Sequence, residues 1–323
     1  MALPLSIHGY QVIDVLGTGT FATVYRARDA GLDADVAIKV LADNWSHHAE
    51  VRERFVAEAR ILRQVDSDRV VRVFLIDELG DGRPYFVMTC AEAPTLEEVI
   101  RDRRETRRPF SLDEVAAIGS ELGACLAVIH SLGVVHRDLK PSNVLYRRRE
   151  RSGRLEMLLG DFGLARDTDR SALTMAAGTP AYMAPEQATV NDEIDGRADL
   201  YSATAIIYEL LTLRSAFDSP TVSTIQRDGR GLPIPAATSR GGLSPELDAF
   251  VRRGLSVAPG DRFANAADWI TALVTACAAV DHAGPELAGT FHEAMSTPVA
   301  GWMPAHHRAV RTVSATLVRA PWF

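Results

Sequence analysis

Lysine is almost missing from this chain. Of its 35 basic residues in 323, only Lys39 and Lys140 are lysines; the rest are arginines. A coding preference for arginine accounts for the depletion, and it removes lysine wherever a guanidinium can serve. Where lysine survives, a compact ammonium is needed that a planar fork does not replace. Cysteine is scarce too: Cys90, Cys125 and Cys277 are odd in number, far apart and without CxxC spacing. That argues against a disulfide framework and a zinc site, and fits a reducing compartment. Positive charge does not dominate, since 42 acidic residues against 35 basic ones leave a net −7. Nucleic-acid binding rests on a basic face, so no nucleic acid is expected as partner. No uninterrupted apolar run reaches the ~18 residues of a membrane span. The opening MALPLSIHGY has no basic segment followed by an apolar one, so neither a signal peptide nor a transmembrane segment is expected and the location is read as cytoplasmic. What is present is an ordinary globular balance, 47% apolar, 24% charged and 7% aromatic, with material for a sizeable core.

Residues 10 to 90 read as a strand-rich unit. YQVIDVL, FATVYRAR and DVAIKVL alternate as strands, and GTGT breaks the first from the second. Val51, Phe55, Leu62 and Val65 form an apolar stripe at three-to-four spacing, which predicts a helix. Two further strands are expected at Val70 to Leu75 and Pro84 to Met88, around the turn GDGRP. The order β-β-β-α-β-β describes a small antiparallel lobe, not a βαβ repeat. From residue 95 the pattern turns helical. A Ser111-x-x-Glu114 capping box opens one helix, which closes near Gly133. DLYSATAIIYELLTL is apolar nearly all round and predicts a buried helix; SPELDAFVRRGL and NAADWITALVTACAAV supply two more. The fold class expected is α+β. The run RRRERSGR, 147 to 154, is read as a solvated hairpin tip. Residues 281 to 323 are irregular, with Val310, Val313 and Leu317 beside Arg308, Arg311 and Arg319. That pattern fits a short basic helix docked on the body, with membrane contact as the alternative.

Four places carry chemistry. Gly17-x-Gly19-x-x-Ala22 joins two strands, so it is either a tight hairpin turn or a loop whose backbone N–H groups approach phosphates; a dinucleotide-binding turn would need a helix directly after it. Glu58 occupies an apolar-face position of its helix. Either it reaches past the stripe to solvent, or it pairs internally with Lys39, the one lysine of that lobe. In VVHRDLKPSNVLY, Asp138, Lys140 and Asn143 share a loop pinned by apolar flanks. In LLGDFGLAR, Asp161 follows an apolar strand. Asn143 and Asp161 offer the oxygen ligands that suit Mg2+.

These segments together resemble the eukaryotic-type (Hanks-type) serine/threonine protein kinase family, over roughly residues 10 to 279. The pieces are the glycine turn, VAIK ending at Lys39, Glu58, HRDLKPSN, DFG at 161 to 163, APE at 184 to 186, RADLYS with Asp199, and PGDRF at 259 to 263. The resemblance implies a two-lobed domain over 10–280, with a small lobe about 10–90, a mostly helical large lobe about 91–280, an extension 1–9 and a tail 281–323. It also accounts for the lysines. The family asks for one on the third strand and one in the catalytic loop, a pair that random placement among the basic positions would give roughly once in 600.

By the same resemblance, ATP would lie against Leu16, Gly17, Thr18, Gly19, Thr20, Phe21, Ala22, Val24 and Ala37, with Lys39 on its phosphates and Glu58 behind Lys39. Met88, Thr89 and Ala91 would form the hinge at the adenine. Asp138 would receive or orient the acceptor hydroxyl's proton, Lys140 would steady the γ-phosphoryl group, and Asn143 with Asp161 would hold Mg2+. Glu186 and Arg262 would pair in the large lobe, and Asp199 would brace the catalytic loop. Arg137 implies control by phosphorylation of the loop carrying Thr168, Ser171 and Thr174, with Thr174 first; an unmodified loop is the alternative. The activity implied is transfer of the γ-phosphoryl group to Ser/Thr hydroxyls of a protein substrate, with a regulatory partner or dimer left open. Three departures, Ala22 for a third glycine, Thr89 for a hinge glutamate and the arginine-rich 147–154 segment that lengthens a hairpin, remove no reacting group. The rivals are a nucleotide-binding pseudokinase acting as a scaffold, which the retained lysines oppose, and a small-molecule kinase, which GTPAYMAPE opposes.

Overall fold

β-Branched and aromatic residues recur in runs along the first ninety positions, and in the computed structural model those runs form one antiparallel sheet of six strands, ordered β1-β2-β3-β4-β6-β5. The strands are β1 (Ser6–Ile7), β2 (Tyr10–Thr18), β3 (Ala22–Asp29), β4 (Ala34–Leu41), β5 (Val73–Glu78) and β6 (Pro84–Thr89). The structure describes residues 6–31, 33–91, 93–148, 155–162, 180–188, 194–217 and 243–281.

Alternation along β4 decides which side each residue serves. Val36, Ile38 and Val40 join Ile7, Ala27, Tyr85 and Val87 in a core on one face of the sheet. Ala37 and Leu41 join Phe86 and Met88 on the other face, under helix α1 (Ala49–Gln64). Lys39 has the parity of Ala37 and Leu41, so it faces the helix. Helix α1 buries Phe55, Glu58, Ala59 and Leu62, with the Phe55 ring 5.0 Å from that of Phe86.

The large lobe is helical: α2 (Leu96–Glu105), α3 (Leu112–Ser131), α4 (Gly196–Thr212), α5 (Pro245–Gly254) and α6 (Ala266–Asp281). The capping box expected at Ser111 and Glu114 is formed, and a second one, Thr95 with Glu98, opens α2. Helix α4 is buried from Ala198 to Leu211. A hairpin of β7 (Val144–Arg148) and β8 (Leu155–Leu159) lies between the lobes. Val71 N–H donates to the Leu159 carbonyl at 2.9 Å, and Leu159 N–H donates to that of Arg69 at 3.0 Å.

Three details differ from the sequence reading. The strand expected from Val70 begins at Val73, because Arg69 and Val71 turn aside to bond Leu159 of β8 on either side of Val70. The sheet starts at Ser6, inside the segment read as an extension, because Ile7 completes the outer core at 4% exposure. Arg147 and Arg148, read as part of a solvated tip, belong to β7; Arg147 reaches Glu156 and Asp68. The rest of that tip, 149–154, and the tail pattern Val310, Val313 and Leu317 lie outside the described residues.

Packing in the large lobe uses glycines where helices approach closely. A Cβ on Gly254 would stand 2.2 Å from the Thr204 hydroxyl. That hydroxyl is buried and committed twice, donating to the Leu200 carbonyl at 2.7 Å and accepting from Trp269 Nε1 at 2.9 Å. Gly254→Val is therefore expected to cost about 3 kcal/mol, the upper end of overpacking penalties. Thermal or denaturant unfolding checks this, and an unchanged midpoint would refute it.

Candidate active site

Lys39, placed by the parity of β4, meets Glu58, placed by the buried stripe of α1. Lys39 Nζ lies 2.8 Å and 3.1 Å from the two Glu58 oxygens, and 3.0 Å from Asp161 Oδ1. Burial opposes the charge on Lys39, but the Asp161 and Glu58 carboxylates outweigh it and raise its pKa. Burial raises Glu58 most, against the pull of Lys39. Desolvation would raise Asp161, whose side chain is 46% exposed, but Lys39 holds it below the usual carboxylate range. One ammonium therefore serves two carboxylates from different lobes, and it favours the charge on Asp161. The alternative in which Glu58 reaches solvent is set aside by its 7% exposure.

The loop 136–143 is held in an unusual backbone state. Arg137 has φ +64° and Asp161 φ +52°, left-handed values that cost non-glycine residues about 1–3 kcal/mol each. Such strain persists only when the surroundings over-determine it. Asp199, 1% exposed in the first turn of α4, accepts His136 N–H at 2.8 Å and Arg137 N–H at 2.9 Å. Its Oδ2 also lies 2.8 Å from His130 Nε2, at the end of α3. Gln187 Nε2 donates to the Arg137 carbonyl at 2.7 Å. Burial lowers the pKa of His136. The neutral ring then donates from Nε2 to the Gly160 carbonyl at 3.0 Å and lies flat on Phe162, centroids 4.5 Å apart.

Asp138 sits at the focus of this loop. Its Oδ2 accepts from Lys140 Nζ at 3.0 Å and from Asn143 Nδ2 at 3.3 Å. Asn143 Nδ2 also donates to the backbone carbonyls of Asp138, at 2.8 Å, and Asp161, at 3.3 Å. Asp138, Lys140, Asn143, Asp161, Lys39 and Glu58 are thus one connected set of polar contacts.

The turn between β2 and β3 leads into the strand that pairs with Lys39, and is closed by Gly19 N–H to the Ala22 carbonyl at 2.8 Å. Neither Gly17 nor Gly19 has a positive φ. A Cβ on Gly17 would meet nothing within 4 Å, and one on Gly19 only a carbonyl at 3.6 Å. Nothing among the described residues demands glycine at these two positions, which fits a turn kept clear for an outside group. In the sheet Val24 stands opposite Lys39, and Ala37 opposite Met88. Leu16 is 48% exposed while Met88 is buried. The Thr89 N–H bonds the Arg72 carbonyl at 2.9 Å, which ties this end of β6 to the start of β5.

Farther down, Arg262 holds Glu186 through two bonds of 2.6 Å and 2.7 Å. The Arg262 guanidinium also donates to the carbonyls of Ser256, Val257 and Arg197. Thr168, Ser171 and Thr174, with Gly163, lie outside the described residues. Sequence reasoning missed several contacts. Tyr182 donates its hydroxyl to Glu209, which also accepts from Arg104 Nη2 at 2.8 Å. The signal for Glu209 was its charge in the otherwise uncharged stretch that follows Asp199 in the helix. His130 and Trp45 gave no periodic signal.

Two lobes meeting at a lysine–carboxylate bridge define a protein kinase domain, and the family model described as protein kinase domain matches residues 10–275. The chain belongs to the Hanks-type serine/threonine protein kinase family. It is 34% identical to the serine/threonine-protein kinase PksC of Streptomyces coelicolor, over 80% of this chain and 47% of that protein. To the serine/threonine-protein kinase PknB of Mycobacterium leprae it is 33% identical, over 80% and 41%. The chain thus spans less than half the length of these two curated relatives. Among solved structures, the PknI kinase domain of Mycobacterium tuberculosis superposes with a TM-score of 0.68 at 26% identity, covering 86% of this chain and all of that one. No helix among the described residues is long and apolar enough to cross a membrane.

Proposed function

We propose that this chain is an active, ATP- and Mg2+-dependent serine/threonine protein kinase of the cytoplasm. Its catalytic unit is residues 10–280, and its substrates are Ser/Thr hydroxyls of proteins, including its own loop at Thr174, Ser171 or Thr168. The observation that carries this is the Lys39 bridge to Glu58 and Asp161, which puts a largely buried cation and an oxygen ligand side by side, one strand across from the end of an open glycine turn.

The residues fit the groups the reaction needs. Gly17 and Gly19 leave room for phosphates, Lys39 would meet the α- and β-phosphates, and Asn143 with Asp161 supplies the hard oxygen donors that Mg2+ prefers. Met88, Thr89 and Ala91 would border the adenine. Bound Mg-ATP would supply the phosphoryl group and neutralise its charge. Phosphoryl transfer asks a protein mainly for positioning and electrostatics. Asp138 would orient the acceptor hydroxyl and take its proton, Lys140 would balance charge beside it, and Asp199 holds the strained loop that aims both. The Glu186–Arg262 pair would support the segment receiving the acceptor.

The test is transfer of labelled γ-phosphate from ATP to a generic basic protein. Label is expected on serine and threonine, and on peptides spanning 164–178, and it should disappear when EDTA removes the metal. Nucleotide binding without any transfer would replace this reading with that of a scaffold.

A further inference from the structure

The glycine turn is fastened from one side by a residue that none of the roles above uses. After β4 the chain makes a 3-10 turn, Asp43–Trp45, which leads through His48 into α1. Trp45 Nε1 donates to the Thr20 carbonyl at 2.8 Å, and Ala42 N–H donates to the Phe21 carbonyl at 2.8 Å. The Trp45 ring packs 5.1 Å from that of Phe21 and 5.1 Å from that of His48. His48 N–H returns to the Trp45 carbonyl at 3.0 Å, and Arg52 N–H to that of His48 at 3.0 Å. An unbroken path of ring and hydrogen-bond contacts therefore runs from the tip of the turn to the first residues of the helix that carries Glu58. The direction of the tip is set as well. A trans peptide is planar, so drawing the Thr20 carbonyl to the indole turns the Phe21 N–H to the opposite side.

We propose that Trp45 is a positioning residue that ties the tip of the glycine turn to the start of α1, fixing the tip amide for phosphate binding. The substrate side of this inference rests on the ATP reading above. No other side chain at position 45 offers both a ring for Phe21 and a donor that reaches Thr20 while remaining neutral across the physiological pH range; tyrosine places its donor at the ring's end and histidine is smaller and titrates. Loss of the tether should therefore weaken ATP and leave the protein acceptor alone, since nothing in the path touches the large lobe.

Trp45→Phe keeps a ring beside Phe21 and removes only the donor, so it separates tethering from folding; Trp45→Ala removes both. Peptide-resolved hydrogen exchange on the full chain without nucleotide is expected to accelerate over residues 17–24 and 46–52 in Trp45→Phe, and to stay unchanged over 266–281. In steady-state assays the KM for ATP is expected to rise about fivefold in Trp45→Phe, the worth of one hydrogen bond. It should rise more in Trp45→Ala, with kcat and the acceptor KM within about twofold of wild type. Unchanged exchange in the turn, or equal changes in both KM values, would overturn the proposal. Wild-type protein that fails to bind Mg-ADP would overturn the ATP reading instead, and the exchange comparison would still decide the tether.

Discussion

Lys39→Arg is expected to lower phosphoryl transfer by about a hundredfold to a thousandfold, the usual loss when one preorganised charge partner of a transition state is misplaced. The substitution preserves charge, so a purely Coulombic account predicts little change; geometry predicts the loss. Lys39 Nζ reaches Glu58 and Asp161 at once, at 2.8 Å and 3.0 Å, and stands 5.6 Å from the Phe86 ring centroid. A guanidinium is longer and planar, and its parallel donors suit one carboxylate face on, not two approached from different lobes. It would either keep Glu58 and push Asp161 aside, or the reverse. Initial rates with labelled ATP measure the effect, and the unfolding midpoint is expected to move by only a few degrees, since the charge stays paired. A rate within tenfold of wild type would mean that the site does not need its ammonium. That would remove the explanation for lysine surviving here when nearly every other basic position is arginine.

How much of this was legible beforehand depended on whether a residue's role is local or long-range. Glu58 could be singled out because a charge interrupted an apolar stripe, and Lys39 because of its rarity; strand parity then required that they face one another. Asp138, Lys140 and Asn143 were legible as a group because they share one short loop. The brace beneath them was visible only as the single residue Asp199. Its second partner, His130, comes from the end of α3, at no fixed spacing from it. The strand start at Val73 was misplaced because VVRVFL is apolar on both sides of Arg72 and carries no mark of where pairing with β6 gives way to pairing with β8. Ile7 was read as extension because its neighbours lack alternation; what fixes it is the outer core, which exists only once β4 and β6 are assembled. Trp45 belongs to the same class, since its partner is a backbone carbonyl and a backbone carbonyl has no sequence signature.

Asp138→Asn is expected to lower kcat by about a thousandfold while leaving Mg-ADP affinity within about twofold, because the side chain removed is a proton acceptor, a function worth roughly a hundredfold to ten-thousandfold. The amide has the size of the carboxylate, and its oxygen can still accept from Lys140, now 3.0 Å from Oδ2. What it cannot do is take a proton from an acceptor hydroxyl. The loop itself should not relax, because the left-handed Arg137 is fixed by the Asp199 and Gln187 bonds rather than by the Asp138 side chain. The two substitutions should therefore fail differently. The lysine variant loses the cation expected to meet nucleotide phosphates, so its KM for ATP should rise along with its loss of rate. The aspartate variant should bind nucleotide and acceptor normally and stall at transfer. Isothermal titration with Mg-ADP beside single-turnover rates separates the two signatures. If Asp138→Asn kept more than a tenth of the wild-type single-turnover rate, the proton would have another receiver. If it lost Mg-ADP affinity in proportion to rate, Asp138 would belong to nucleotide binding and not to the acceptor.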